Sequence, residues 1–146
     1  MNAELTVVVL TANEYETILD LWQQAGLPVR PTGRDSREQF VEQMARGLQT
    51  VIGVRDGARL VGVVVTTHDG RKGWINRLAV HPEYRRRGIG RQLIAEAERV
   101  LHDQGMQIIA ALIEDENEAS LTLFESAGYS DYPGLHYVSK RDRHDV

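Results

Sequence analysis

Between Trp74 and Leu101 the chain passes from an apolar, β-prone run through a turn rich in glycine and arginine into an amphipathic helix. No other segment constrains the fold as tightly. The turn reads His81-Pro82-Glu83-Tyr84-Arg85-Arg86-Arg87-Gly88-Ile89-Gly90, and the helix behind it carries Ile89, Leu93, Ala97, Val100 and Leu101 on one stripe. Glycines at a strand-to-helix turn let several backbone N–H groups approach one anion, where the helix dipole and the arginines add positive potential. Taken alone, the segment is either an anion-binding turn or a structural turn with solvated arginines. A dinucleotide fingerprint needs a third glycine where Leu93 stands, and a Walker loop needs a Gly-Lys-Ser/Thr that is absent.

The rest of the chain supplies alternating elements around this unit. Leu5–Leu10 reads as a first strand. Thr11-x-x-Glu14 forms a capping box for a helix with Tyr15, Ile18, Leu19, Trp22 and Ala25 inward. After a loop holding Pro28 and Pro31, Asp35-x-x-Glu38 offers a second N-cap, followed by a stripe of Phe40, Val41, Met44 and Leu48. Val51–Val54 and Leu60–Thr67 flank Asp56-Gly57 as a hairpin. A turn from His68 to Gly73 leads to the strand Trp74–Val80. Ile108–Ile113 reads as a strand covered on both faces, Asn117–Ala127 as a last helix stopped by Gly128, and Tyr129–Lys140 as two short strands around Pro133-Gly134. The order β-α-α-β-β-β-α-β-α-β-β predicts an α/β (α+β) mixed sheet with helices on both faces.

A length of 146 residues suits a single domain, 1–146, with Arg141–Val146 as a charged, flexible tail. No apolar stretch is long enough to span a bilayer, and Met1-Asn2-Ala3-Glu4 lacks the regions of a secretory signal. A cytoplasmic protein without a membrane partner is expected. Cysteine is absent, which excludes disulfides, thiolate metal sites and a cysteine nucleophile, and no metal is expected. A net charge of −4 argues against a nucleic-acid partner.

Two spaced motifs resemble the GNAT acyltransferase superfamily. Arg85-x-x-Gly88-x-Gly90 is similar to its pyrophosphate-binding signature, and Asn117-x-x-Ser120-x-x-Leu123-Phe124-x-x-x-Gly128-Tyr129 to its second motif. The turn Asp69-Gly70-x-x-Gly73-Trp74 is shared with small microbial acetyltransferases of that superfamily. The resemblance implies a mostly antiparallel sheet splayed between its fourth and fifth strands, and acetyl-CoA as co-substrate. It implies that backbone N–H groups from Arg86 and Arg87 through Gly88, Ile89 and Gly90 hold the pyrophosphate, with Arg85, Arg86 and Arg91 supporting the phosphates. Leu78 and Val80 would pair through their backbone with the pantetheine amides, and an N–H near Leu78 or Ala79 would polarise the thioester carbonyl, as the family's β-bulge does. Asn117 would bind the pantetheine arm or the adjacent strand, with Ser120 and Phe124 further along the same helix.

The proton chemistry departs from the family pattern. Where many relatives place a tyrosine acid, this chain has Phe124, which packs against the acyl end or fills the core. Tyr129 is the nearest tyrosine, with Tyr132 and Tyr137 beyond it. Where relatives often place a strand glutamate, this chain has Trp74-Ile75-Asn76-Arg77. At period two Trp74, Asn76 and Leu78 share a face, and Asn76 can orient an amine or a water but not act as a base. Glu114 and the turn pair His68-Asp69 are the titratable alternatives. The resemblance implies an acceptor site framed by the first helix pair and its loop, where Arg30 and Arg34 of the loop would meet an acceptor carboxylate, while Glu14, Glu38 and Glu42 on the flanking helices would attract a cation. The reading is an N-acetyltransferase acting on a primary amine of a small molecule, protein or peptide, and the resemblance implies a homodimer. The alternative is a non-catalytic acyl-CoA sensor on the same fold.

Overall fold

Two apolar layers lie on opposite faces of one five-stranded sheet in the computed structural model, which describes residues 5–144 and 146. In chain order the elements are β1 (Leu5–Val9), α1 (Tyr15–Gln24), α2 (Arg37–Ala45), β2 (Thr50–Asp56), β3 (Arg59–His68), β4 (Lys72–Val80), α3 (Ile89–Asp103), β5 (Ile108–Ala110) and α4 (Glu118–Ser126). Short 3-10 turns at Ala12–Glu14 and Pro82–Tyr84 precede α1 and the glycine turn. The strands lie in sequence order, β1 to β4 antiparallel and β5 parallel to β4.

Local chemistry starts the helices. Thr11 and Glu14 close the capping box, with Thr11 N–H donating to the Glu14 carboxylate at 2.7 Å. Ser36, not Asp35, caps α2 by accepting from Gln39 N–H. The Asp35 carboxylate instead accepts Arg30 N–H at 2.8 Å and closes the loop before the helix.

Side chains alternating along β3 fill both layers. Val63 and Val65 meet Ile18, Leu21 and Trp22 of α1 and Phe40 of α2, while Val64 meets the layer of Leu93, Ala97 and Leu101 from α3 and Phe124 from α4. The α2 stripe is narrower than its spacing predicts. Phe40 is buried against Tyr15, whereas Val41 is exposed and Leu48 lies past the helix end, also exposed.

Two sequence expectations fail towards the C-terminus. β5 spans 3 residues rather than Ile108–Ile113, and its Ile108 is exposed, so this strand is not covered on both faces. No strand forms between Tyr129 and Lys140. Tyr132, Leu135, Tyr137 and Val138 are exposed, because a strand requires a ladder partner and this segment pairs with none among the described residues. Arg143 and Val146 of the tail border a recess beside Gly33 and Ser36, while Met1–Glu4 lie outside the described residues.

Leu93 is fully buried under β3. Leu93→Ala should cost about 2–5 kcal/mol in urea unfolding, whereas Val41→Ala on exposed α2 surface should stay within about 0.5 kcal/mol.

Candidate active site

The glycine turn is held from below. The Tyr84 hydroxyl donates to Asp56 at the end of β2, and the guanidinium groups of Arg87 and Arg59 lie 4.7 and 5.5 Å from the Tyr84 ring centroid. Above this anchor the backbone turns left-handed twice, at Arg86 (φ 64) and at Gly88 (φ 80), the N-cap of α3. A non-glycine residue in that region costs about 1–3 kcal/mol and persists where its surroundings enforce it. Among the described residues no protein acceptor engages the N–H groups from Arg86 through Gly90. The first turn of α3 carries no acidic residue. Unpaired donors, helix dipole and arginine charge therefore coincide, as an anion site requires.

The arginines divide their work. Arg86 is exposed and has no ion pair among the described residues. Arg85 donates to Ala25 O at 3.2 Å and clamps the end of α1 to the turn, and Arg91 reaches Ser126 Oγ of α4 at 3.4 Å. The glycines also differ. A Cβ on Gly88 would meet open space but an unfavourable φ, whereas one on Gly90 would lie 2.9 Å from Leu123 Cδ2. Gly90 lets α4 pack onto the start of α3.

An irregularity in β4 shapes the adjoining cleft. Asn76 pairs with Val65 and Ala79 with Val63, so Val64 alone faces Arg77 and Leu78. Arg77 takes the extra position with φ 51. Period two is broken there. Asn76 and Arg77 border the α1–α2 side and Leu78 packs on the α3 side, which corrects the predicted shared face of Asn76 and Leu78. β5 pairs only with Lys72, Gly73 and Trp74, so among the described residues the β4 edge from Ile75 to Val80, including Leu78, Ala79 and Val80, has no strand beside it. This is the predicted splay between the fourth and fifth strands.

A cavity of about 360 Å³ opens beside the bulge, bordered by Trp22, Arg34, Asp35, Thr67, Asn76 and Arg77 among others. Asn76 Nδ2 donates to Thr67 Oγ1 at 3.1 Å. Arg77 lies 4.3 Å from the Trp22 ring centroid, donates to Pro28 O at 3.0 Å and sits 3.6 Å from Asp35 Oδ2. Burial lowers the Arg77 pKa from its ordinary value, and Asp35 opposes that shift. Sequence reasoning assigned Trp22 to the core and Asp35 to a helix cap, and gave Arg77 no role. The available signal was a charged side chain inside the apolar run from Ile75 to Val80.

The titratable candidates lie away from the cavity wall. Glu114 is exposed beyond β5, and its carbonyl accepts Asn117 N–H at 2.9 Å. His68 Nδ1 accepts Gly70 N–H, and the Asp69 carboxylate accepts the N–H groups of Lys72 and Arg71, which hold its pKa below the usual range. Tyr129 donates to Glu98 Oε2 at 2.7 Å and stacks edge-on against Phe124 at 5.1 Å. Burial first, then the bond to Glu98, pushes its pKa above the ordinary tyrosine range. Asn117 Oδ1 accepts Ser120 N–H and caps α4. Among the earlier acceptor candidates, Glu14 pairs with Arg55 and Glu42 with Arg46, while Arg34 reaches the cavity.

A turn with unpaired N–H donors thus stands at the end of a strand edge left open among the described residues, a geometry suited to an extended ligand with phosphate at one end. The acetyltransferase (GNAT) family matches residues 15–129, and the chain belongs to that family. An acetyltransferase of Photorhabdus laumondii is 27% identical over 127 residues, covering 87% of each chain. Solved structures share the fold at lower identity. The aminoglycoside acetyltransferase AAC(6')-Iy, in complex with a bisubstrate analogue, superposes with a TM-score of 0.81 at 17% identity, covering 95% of this chain and 99% of its own. The PaiA N-acetyltransferase of Thermoplasma acidophilum, in complex with coenzyme A, gives 0.75 at 17%, covering 86% and 89%. Among the described residues no helix is long and apolar enough to cross a membrane.

The neutral Tyr129 phenol is favoured in the folded state, so its contribution is complete below the unfolded pKa near 10 and fades as pH rises through the folded value. Tyr129→Phe should lower stability by about 1–2 kcal/mol near neutrality. In urea midpoints taken across the alkaline range, the variant should lose stability less steeply above about pH 10 than the parent.

Proposed function

We propose that the protein transfers the acetyl group of acetyl-CoA to a primary amine of a small molecule, protein or peptide by direct attack in a ternary complex. The observation that carries this reading is the continuity of the unpaired β4 edge with the left-handed turn at Arg86 and Gly88. The coenzyme A and bisubstrate complexes of the two structural relatives support it.

In this reading the N–H groups from Arg86 through Gly90 bind the pyrophosphate, and the exposed Arg86 guanidinium adds charge at its rim. Leu78 and Val80 offer backbone groups to the pantetheine amides in the manner of strand addition. The bulge turns an N–H near Leu78 or Ala79 towards the thioester oxygen, where charge grows as the amine attacks. Phe124 and Ser120 flank the arm from α4, and Asn117 fixes the start of that helix. Asn76, on the cavity wall, orients the amine.

The new C–N bond forms as the C–S bond breaks. The amine loses its proton to water, and the thiolate departs as a fair leaving group without an obligatory enzyme acid. Glu114 and Tyr129, outside the cavity wall, remain candidates for carrying that proton onward through water.

Calorimetry with acetyl-CoA and a thiol-release assay over a panel of amines test the reading together. Binding with acetyl-CoA-dependent thiol release is expected; binding without release for any amine would instead make the protein a sensor. Gly88→Val forces a β-branched residue into the left-handed region and should weaken acetyl-CoA binding by about tenfold or more. Arg86→Ala should weaken it by roughly threefold to tenfold, with a shallower salt dependence.

A further inference from the structure

Among the described residues, two buried side-chain polar atoms lack a hydrogen-bond partner, Trp22 Nε1 and Arg77 Nε. Both residues border the same cavity. Both atoms are donors only, so neither can be satisfied except by an acceptor. Trp22 is 3% exposed in the core layer of α1, where a phenylalanine or leucine would fill space without stranding an N–H group. Arg77 is committed through its outer nitrogen to Pro28 O and Asp35, which leaves its Nε–H for another acceptor.

The charge of the wall agrees with this donor excess. Arg34 and Arg77 face the cavity with one acid, Asp35, and no lysine, histidine or glutamate lies on its lining. Asp35 Oδ2 is already occupied by Arg30 N–H at 2.8 Å, Arg77 at 3.6 Å and Arg34 at 3.8 Å. A polycationic acceptor would meet two guanidinium groups there, whereas a carboxylate would meet a net positive wall. At about 360 Å³ the space is at the small end of ligand pockets, suited to an acceptor the size of an amino acid.

We infer that this cavity binds a carboxylate carried by the acceptor itself, so that the acceptor class is small amino acids and related amino carboxylates. The inference deepens the acetyl-transfer reading and rests on it for placing the amine at the open edge of β4. The carboxylate lies against Trp22 and Arg77, with Arg34 at the mouth, and the amine points across Asn76 towards the bulge. In the transfer the amine nitrogen bonds the acetyl carbon, the C–S bond breaks, the amine proton passes to water and the carboxylate is unchanged.

The test compares each proteinogenic amino acid with its own carboxamide and with the amine lacking the carboxyl carbon. Binding is read from the indole N–H signals of the two tryptophans in a ¹⁵N-labelled sample containing CoA, assigned with Trp74→Phe. At least one amino acid should bind roughly tenfold or more tightly than its carboxamide and should move the Trp22 indole signal. Arg77→Lys, which keeps a charge but removes the Nε–H, should erase most of that preference. Arg34→Gln, at the partly exposed mouth, should weaken the amino acid about threefold and guards against a folding defect in the first variant.

Carboxamides or the polycation sisomicin binding as tightly as the carboxylates, or no amino acid moving the Trp22 signal, would overturn the inference. Thiol release is followed in parallel. Carboxylate preference in binding without release for any amine would overturn acetyl transfer and leave the carboxylate site standing; release confined to amines without a carboxylate would do the reverse.

Discussion

Val64 of β3 faces two residues of β4, and the remaining geometry of the site follows from that mismatch. The extra residue turns Arg77 left-handed, sends Asn76 and Arg77 to the α1–α2 side, and returns Leu78 to the α3 layer. β4 keeps its partner β3 on one edge, while β5 accompanies it only as far as Trp74. A regular strand in the same place would put Leu78 on the face of Asn76 and leave no kink beside the opening. The bulge joins two spaces: an open edge for an extended ligand and a polar cavity for a second one.

The turn at the end of β4 stores strain of a related kind. Arg86 occupies a region that glycine favours, held there by Tyr84 anchored on Asp56 and by the start of α3. Its cost of about 1–3 kcal/mol has no compensating side-chain ion pair among the described residues. The gain lies in the concave backbone that an anion would complete. Gly88 avoids the same cost at the second left-handed position, while Gly90 serves packing against Leu123. Two glycines one residue apart in the signature therefore answer different physical demands.

Elements governed by local chemistry were legible in the sequence. The Thr11–Glu14 capping box and the α3 stripe follow from residue type at fixed spacing, and both stand in the structure. Asp35 and Ser36 are both capping residues, and their order was decided by the Arg30 N–H across the loop. Tyr129 was visible as part of a motif, yet its partner Glu98 lies on another helix, beyond any local pattern. The bulge was implied by the family resemblance and not by the residues, because Ile75-Asn76-Arg77-Leu78 contains no glycine to mark it. The strands predicted after Tyr129 failed because β propensity without a paired edge is insufficient.

In the proposed reading the open β4 edge and the left-handed turn form one binding surface for acetyl-CoA. Amide hydrogen exchange, followed with and without coenzyme A, tests it most directly. New protection should concentrate in Leu78–Val80 and Arg86–Gly90, with little change in β1 and β2. Saturating coenzyme A that leaves both segments as exchangeable as before, or protects a different surface, would contradict it.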